Sequence, residues 1–213
     1  MHKVKHNTKR LITSIKWVIF SIVVGIVAGS CGTAFYFALS VVTDFRMKYP
    51  WLIYFLPIGG LAIVGLYHLC KDDNDTGTNL VISAIHSGDK VPFIMAPLIF
   101  VSTLITHLFG GSAGREGAAL QMGGSIGSSI GRVFRFDEKD KHVMIMCGMS
   151  AAFSALFGTP MAAAIFSMEM ISVGVMYYIA LVPCVISSLI AHGIASYFLS
   201  LIHISEPTRR SYI

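Results

Sequence analysis

Charge is scarce in this sequence. Lys, Arg, Asp and Glu together supply 13% of its 213 residues, while 54% are hydrophobic. A soluble globular chain carries about 25% charge, so the shortage argues against a soluble domain and for a chain embedded in a bilayer. Paired cysteines are missing too. Cys31, Cys70, Cys147 and Cys184 lie far apart and no CxxC occurs. That spacing removes zinc ribbons and disulfide frameworks, and the four are expected to act as small packing residues. No basic stripe runs into a folded module, so nucleic acid is not an expected partner. Low-complexity linkers and coiled-coil heptads are also absent, and no metal or cofactor is expected.

The charges that do occur are clustered. His2, Lys3, Lys5, His6, Lys9 and Arg10 crowd the N-terminus. Residues 1–14 are expected to form a solvated, disordered tail, and basic residues beside a first span place it in the cytoplasm. Trp17 to Val42 then runs without a charge. A signal peptide would carry an apolar run of only about 7–15 residues, whereas this one can cross a ~30 Å hydrocarbon core. It is read as a retained helix of a multi-pass protein of a bacterial inner membrane, with lipid as its surroundings.

Trp51 to Leu69 is the second apolar stretch, and the polar segment Asp72 to Thr78 follows it. Asn79 to His86 predicts a helix too short to cross. Pro92 to Phe109 predicts the next helix, ended by the break Gly110-Gly111-Ser112-Ala113-Gly114. Gly117 to Ile130 is again free of charge, with Gly123, Gly127 and Gly131 spaced so that helix backbones can approach closely. Arg132 to Lys141 is a charged connector, and Val143 to Phe157 is apolar. Gly158-Thr159-Pro160 interrupts the chain, Met161 to Val175 continues it with Glu169 inside, and Tyr177 to Phe198 is the last span. Short helices broken by Gly or Pro are the pattern of discontinuous helices around a site at mid-membrane depth. His68, His86, His107 and His142 fall near expected helix ends and are read as interfacial polar residues.

Arg115-Glu116 is the pair that needs a function. It opens a helix between two apolar stretches, and each charge costs about 2.5–3.5 kcal/mol at a bilayer centre on insertion scales. A helix N-terminus carries unpaired N–H groups and roughly half a positive charge. With glycines allowing close approach, that combination makes an anion site. A carboxylate there can fill the site itself. The positive helix end favours its charged form and burial favours its neutral form. Glu116 is therefore expected to compete with a passing anion and to take up a proton when displaced.

Gly114-Arg115-Glu116-Gly117 followed by Gln121-Met122-Gly123-Gly124 resembles the signature of the CLC family of chloride channels and halide/proton antiporters. Phe157-Gly158-Thr159-Pro160, then Phe166 and Glu169, resembles that family's motif at a later helix start. The resemblance runs from about Lys16 to Phe198 and covers the first of the family's two inverted repeats. It implies an all-α integral membrane fold of short, tilted and discontinuous helices over residues 15–198, a second repeat that completes the pathway, a homodimer, and halide ions and protons as partners. It assigns gating and proton transfer to Glu116, and anion binding to Gly114, Arg115, Gly117 and Ala118.

The departures are informative. The family's usual Gly-Ser-Gly-Ile-Pro turn is Gly77-Thr78-Asn79-Leu80-Val81 here, its proline after the glutamate motif is Ala118, and its Asn-Ala-Pro is Gly158-Thr159-Pro160. These changes resemble the fluoride-exporting branch, which implies proton-coupled fluoride export with chloride as the alternative ion. Gly77, Thr78 and Asn79 are then candidate anion-binding residues. Thr78 and Asn79 offer hydroxyl and amide donors or cap the short helix. The inner proton glutamate of chloride exchangers falls at Met170, next to Glu169, so Glu169 is the candidate inner proton residue.

Two other classes compete. Gly110 to Gly114 fits GxSxG, the nucleophile elbow of a serine hydrolase, with His107 or His192 as base; the elbow needs a preceding strand, and a helix is expected. An enzyme is therefore not expected. A scaffold that uses Gly123, Gly127 and Gly131 as a dimer face leaves Arg115-Glu116 without a role. Residues 199–213 are set apart, because Leu199 to Arg209 reads like an in-frame sequencing adapter, expected to be non-biological.

Overall fold

A computed structural model describes residues 2–70, 91–170 and 177–205, with side chains described from 15 to 200 within those segments. Among the described residues there is no strand. Helix α1 (His2–Lys48) is followed by a 3-10 turn (Pro50–Phe55) and α2 (Leu56–Leu69). Next come α3 (Met95–Leu108), α4 (Arg115–Val133), α5 (Glu138–Phe157) and α6 (Pro160–Glu169). A short 3-10 turn (Tyr178–Ala180) leads into α7 (Leu181–Ser205). The stretches Ile15–Lys48, Pro50–Leu69 and Tyr178–Ser200 are long and apolar enough to cross a membrane; α3, with 14 residues, is shorter than a span.

Several boundaries differ from those expected. The basic N-terminus is not disordered: α1 is helical from His2. A helix already nucleated by an apolar span propagates through Lys and Arg at little cost. The connector at 132–141 is mostly helical, with its break confined to residues 134–137. The helix from Pro160 ends at Glu169, and residues 171–176 lie outside the described residues. α7 passes Phe198 without a break. The short helix expected over Asn79 to His86 lies outside the described residues.

Packing follows the small residues. α4 and α5 cross with Gly123 against Gly148 and Gly127 against the Met144 carbonyl. α1 lays Gly25 and Gly29 on Ser187 and Ala191 of α7, and Gly32 on Ala152 of α5. Buried serines join α5 and α7: Ser154 Oγ donates to the Ser188 carbonyl at 2.8 Å, Ser150 Oγ to that of Cys184 at 3.1 Å, and Ser187 Oγ back to that of Cys147 at 3.1 Å. Close backbone approach with side-chain hydrogen bonds is how helices associate where lipid removes the hydrophobic drive. All four cysteines are free thiols.

Contacts at three levels fix the relative directions. At one end Lys16 Nζ meets Asp140 Oδ2 at 2.9 Å, and the ring of Phe20 meets that of Phe136 with centroids 4.6 Å apart. Midway, Cys31 Sγ lies 3.5 Å from Met122 Sδ. At the other end the Arg46 guanidinium stands against Gly110. α4 therefore runs antiparallel to α1, with its first turn toward the Arg46 end.

Candidate functional site

The start of α4 is built by the way α3 stops. Gly110 takes a left-handed conformation (φ 79°), its N–H donates to the His107 carbonyl at 3.1 Å, and that of Gly111 donates to Thr106 at 2.8 Å. This double bond pattern closes a helix C-terminus and needs glycine at the left-handed position. Gly114 is extended (φ −70°, ψ 132°) and α4 begins at Arg115 with no side chain capping it. Among the described residues, a Cβ at Gly114 would meet nothing within 4 Å. The glycine thus leaves open space in front of uncapped amides rather than relieving a clash.

Glu116 is the acidic residue of the first turn, where the helix field favours a carboxylate. Arg115 and Glu116 are exposed, Gly117 is half-buried and Ala118 is buried. The burial expected to oppose the helix field at Glu116 is therefore not supplied by the described residues. The reason is positional: the helix only enters the packed core at Ala118, two residues further on. From there to Ser128 every side chain is buried. The distal half of α4 is held by Ser125 Oγ donating to the Pro92 carbonyl at 2.8 Å and by the Arg132 guanidinium donating to the Val91 carbonyl.

A second uncapped helix start lies at the same end. α5 stops at Gly158 (φ 70°), whose N–H donates to the Ser154 carbonyl at 2.9 Å. Thr159 leads to Pro160 at the first position of α6, again with no side-chain cap. The antiparallel register set by Gly123–Gly148 and Gly127–Met144, continued one way along the pair, puts Gly114 level with Phe157. Pro160 lacks an N–H, so the open amides there begin at Met161. Two positive helix ends thus face the same level of the bundle, a geometry suited to a small anion.

Gly77, Thr78 and Asn79 lie outside the described residues. Glu169 ends α6 and is half-buried beside half-buried Met170. Ten residues of α6 rise about 15 Å, which puts Glu169 well away from the two helix starts. The hydrolase constellation is not assembled. Ser112 follows a helix, and His107 Nδ1 bonds the Thr103 carbonyl of its own helix at 2.8 Å. His192, on α7, meets Ser196 Oγ at 3.4 Å. Gly123 and Gly127 act in packing, as expected. Two residues near the site carried no assigned role in the sequence reading: Arg46 and Gln121. A polar side chain inside the charge-free run from Gly117 to Ile130 was the available signal for Gln121.

Residues 59–211 match the family described as voltage gated chloride channel. The chain is 42% identical over 177 residues to the chloride/fluoride channel protein of Pseudomonas syringae pv. tomato, covering 83% of this chain and 39% of that protein. It is 28% identical over 199 residues to an H(+)/Cl(-) exchange transporter of Vibrio cholerae, covering 82% of this chain and 40% of the other. Among solved structures, a CLC-type fluoride/proton antiporter superposes with a TM-score of 0.81 at 36% identity, over 86% of this chain and 47% of that one. The chain thus spans less than half the length of the relatives it matches.

Proposed function

Since the chain belongs to the voltage gated chloride channel family, we propose that it forms the first half of a membrane transporter that exports fluoride in exchange for protons, and that it is not an enzyme. The observation that carries the reading is the uncapped start of α4, with Glu116 in its first turn, level with the uncapped start of α6. Likeness to a fluoride/proton antiporter and to a chloride/fluoride channel protein supports fluoride as the ion.

Orientation follows from charge. Arg132, Arg135, Lys139 and Lys141 share the Lys16 end of the bundle, beside the basic residues of early α1. An excess of Lys and Arg marks the cytoplasmic side, so the N-terminus is cytoplasmic and Glu116 stands in the outer half. There it gates the pathway from outside, with Glu169 toward the cytoplasm. Exposed apolar faces, including Leu61 and Val64 of α2 and Met161 and Ile165 of α6, meet lipid, the second half of the protein and a second copy.

The test is ion efflux from proteoliposomes holding the full-length protein, of the length of these relatives. Fluoride efflux well ahead of chloride is expected. Equal efflux of the two would overturn fluoride selectivity and leave halide transport standing.

A further inference from the structure

Gln121 is 7% exposed, and its side-chain Nε2 is buried with no hydrogen-bond acceptor among the described residues. Such a donor is costly, because burial strips its water and nothing replaces the lost hydrogen bond. The rest of the α4 core is Ala, Leu, Met, Gly, Ser and Ile, so an apolar residue would fit there at lower cost. Long side chains on a helix lean toward its N-terminus and cover the turn before their own Cα. For Gln121 that turn holds Gly117 and Ala118, which have almost no side chain to fill the space. That lean directs the unpartnered amide toward the turn just inside the uncapped start of α4.

We propose that Gln121 is a specificity-determining donor to the transported anion. Resting on the reading of the α4 start as an anion site, it adds a side-chain N–H one turn deeper, where an ion passing Glu116 has lost water. Fluoride gains more from such a donor than chloride, because its charge is concentrated on a smaller atom and its hydration is harder to replace. A neutral amide suits the position: it donates without trapping the ion as a lysine would, and it does not repel the ion as a carboxylate would.

The experiment compares the full-length protein with Gln121→Met and Gln121→Glu in proteoliposomes, reading fluoride and chloride efflux on the same preparations. Gln121→Met keeps length and removes the donor. It should lower fluoride efflux about tenfold or more, the worth of one hydrogen bond to an ion, and leave chloride within roughly twofold. Its thermal stability should hold or rise. Gln121→Glu replaces the donor by an acceptor until it is protonated. Its fluoride efflux should recover on acidification more steeply than that of the parent. A selective parent whose Gln121→Met variant keeps the same fluoride-to-chloride ratio overturns this inference alone. So does a Gln121→Glu variant that follows the parent's pH profile, should Gln121→Met not fold. A parent that passes neither ion overturns the proposed function and this inference with it.

Discussion

Gly123 and Gly148 exclude each other's side chains: the carbonyl oxygen of each occupies the space that a Cβ on the other would need. Neither backbone can retreat, since Gly127 meets the Met144 carbonyl one turn away in the same crossing. This contact holds α4 in the depth and register that put Glu116 at the open end. Gly148→Ala is expected to cost about 1–3 kcal/mol, the range for overpacking a close-packed site. Gly60→Ala and Gly65→Ala in α2, where a Cβ meets nothing within 4 Å, should be neutral or gain up to about 1 kcal/mol from helix propensity. Thermal unfolding of the full-length protein in detergent measures all three. Equal midpoints for Gly148→Ala and Gly60→Ala would contradict the packing account.

Arg135 is the one non-glycine with positive φ (54°) among the described residues. It closes α4, with its own N–H on the Arg132 carbonyl at 3.0 Å and that of Phe136 on Gly131 at 3.0 Å. Glycine is the residue that fits this position, and an L side chain there costs about 1 kcal/mol. Arg135→Gly is expected to raise the unfolding midpoint by a few degrees, while Arg135→Val lowers it, because a β-branched residue is worse placed. A lower midpoint for the glycine variant would show that the exposed arginine contributes more than its strain costs.

Lys16 and Asp140 pair at 2.9 Å with side chains 37% and 31% exposed, and Lys16 Nζ also lies 4.3 Å from the Phe136 ring centroid. Partly exposed ion pairs contribute about 0.2–1 kcal/mol. A double-mutant cycle with Lys16→Met and Asp140→Asn should give a coupling in that range, shrinking as salt rises. A coupling of zero at low salt would leave the ring contacts of Trp17 and Phe20, with the Lys16 ammonium over Phe136, to hold α1 against the α4–α5 turn.

The breaks of this fold were legible because glycine and proline act locally. Gly110, Gly114, Gly158 and Pro160 mark the ends and starts of α3 to α6 within a few residues of where the sequence placed them. The spacing of Gly123 and Gly127 announced a close crossing, but not its partner, because Gly148 and Met144 stand on another helix and spacing within one helix does not say which neighbour meets it. The serine bonds between α5 and α7 were hidden for the same reason: they join residues 34 or 40 apart in sequence. The helical N-terminus was misjudged because charge density was read as disorder, whereas an attached span supplies the nucleus a basic segment lacks. For the site, Glu116 at a helix start was legible from Gly114-Arg115-Glu116-Gly117. Its exposure was not, because burial depends on which elements stack over that turn.

Glu116 carries the most consequential prediction. Its carboxylate belongs to the turn whose first amides are uncapped, and under the proposed function it is exchanged there for the passing anion. Gln at this position keeps the size and loses both the charge and the exchangeable proton. In full-length proteoliposomes, read by a fluoride electrode and a pH dye together, Glu116→Gln should abolish proton uptake coupled to fluoride efflux and flatten the pH dependence. Efflux then either continues uncoupled, if the amide swings clear, or stalls, if it remains bonded to the helix end. Both follow from one cause, since a neutral side chain cannot be exchanged for an anion by taking up a proton. Arg115→Gln separates charge attraction from gating: the exposed guanidinium enriches anions near the entrance, so its loss should slow efflux in a salt-dependent way while each fluoride still moves with its proton. A Glu116→Gln protein with an unchanged proton-to-fluoride ratio would sink the assignment of Glu116 as the gate, because the helix start would then bind the anion without competition from the residue placed on it.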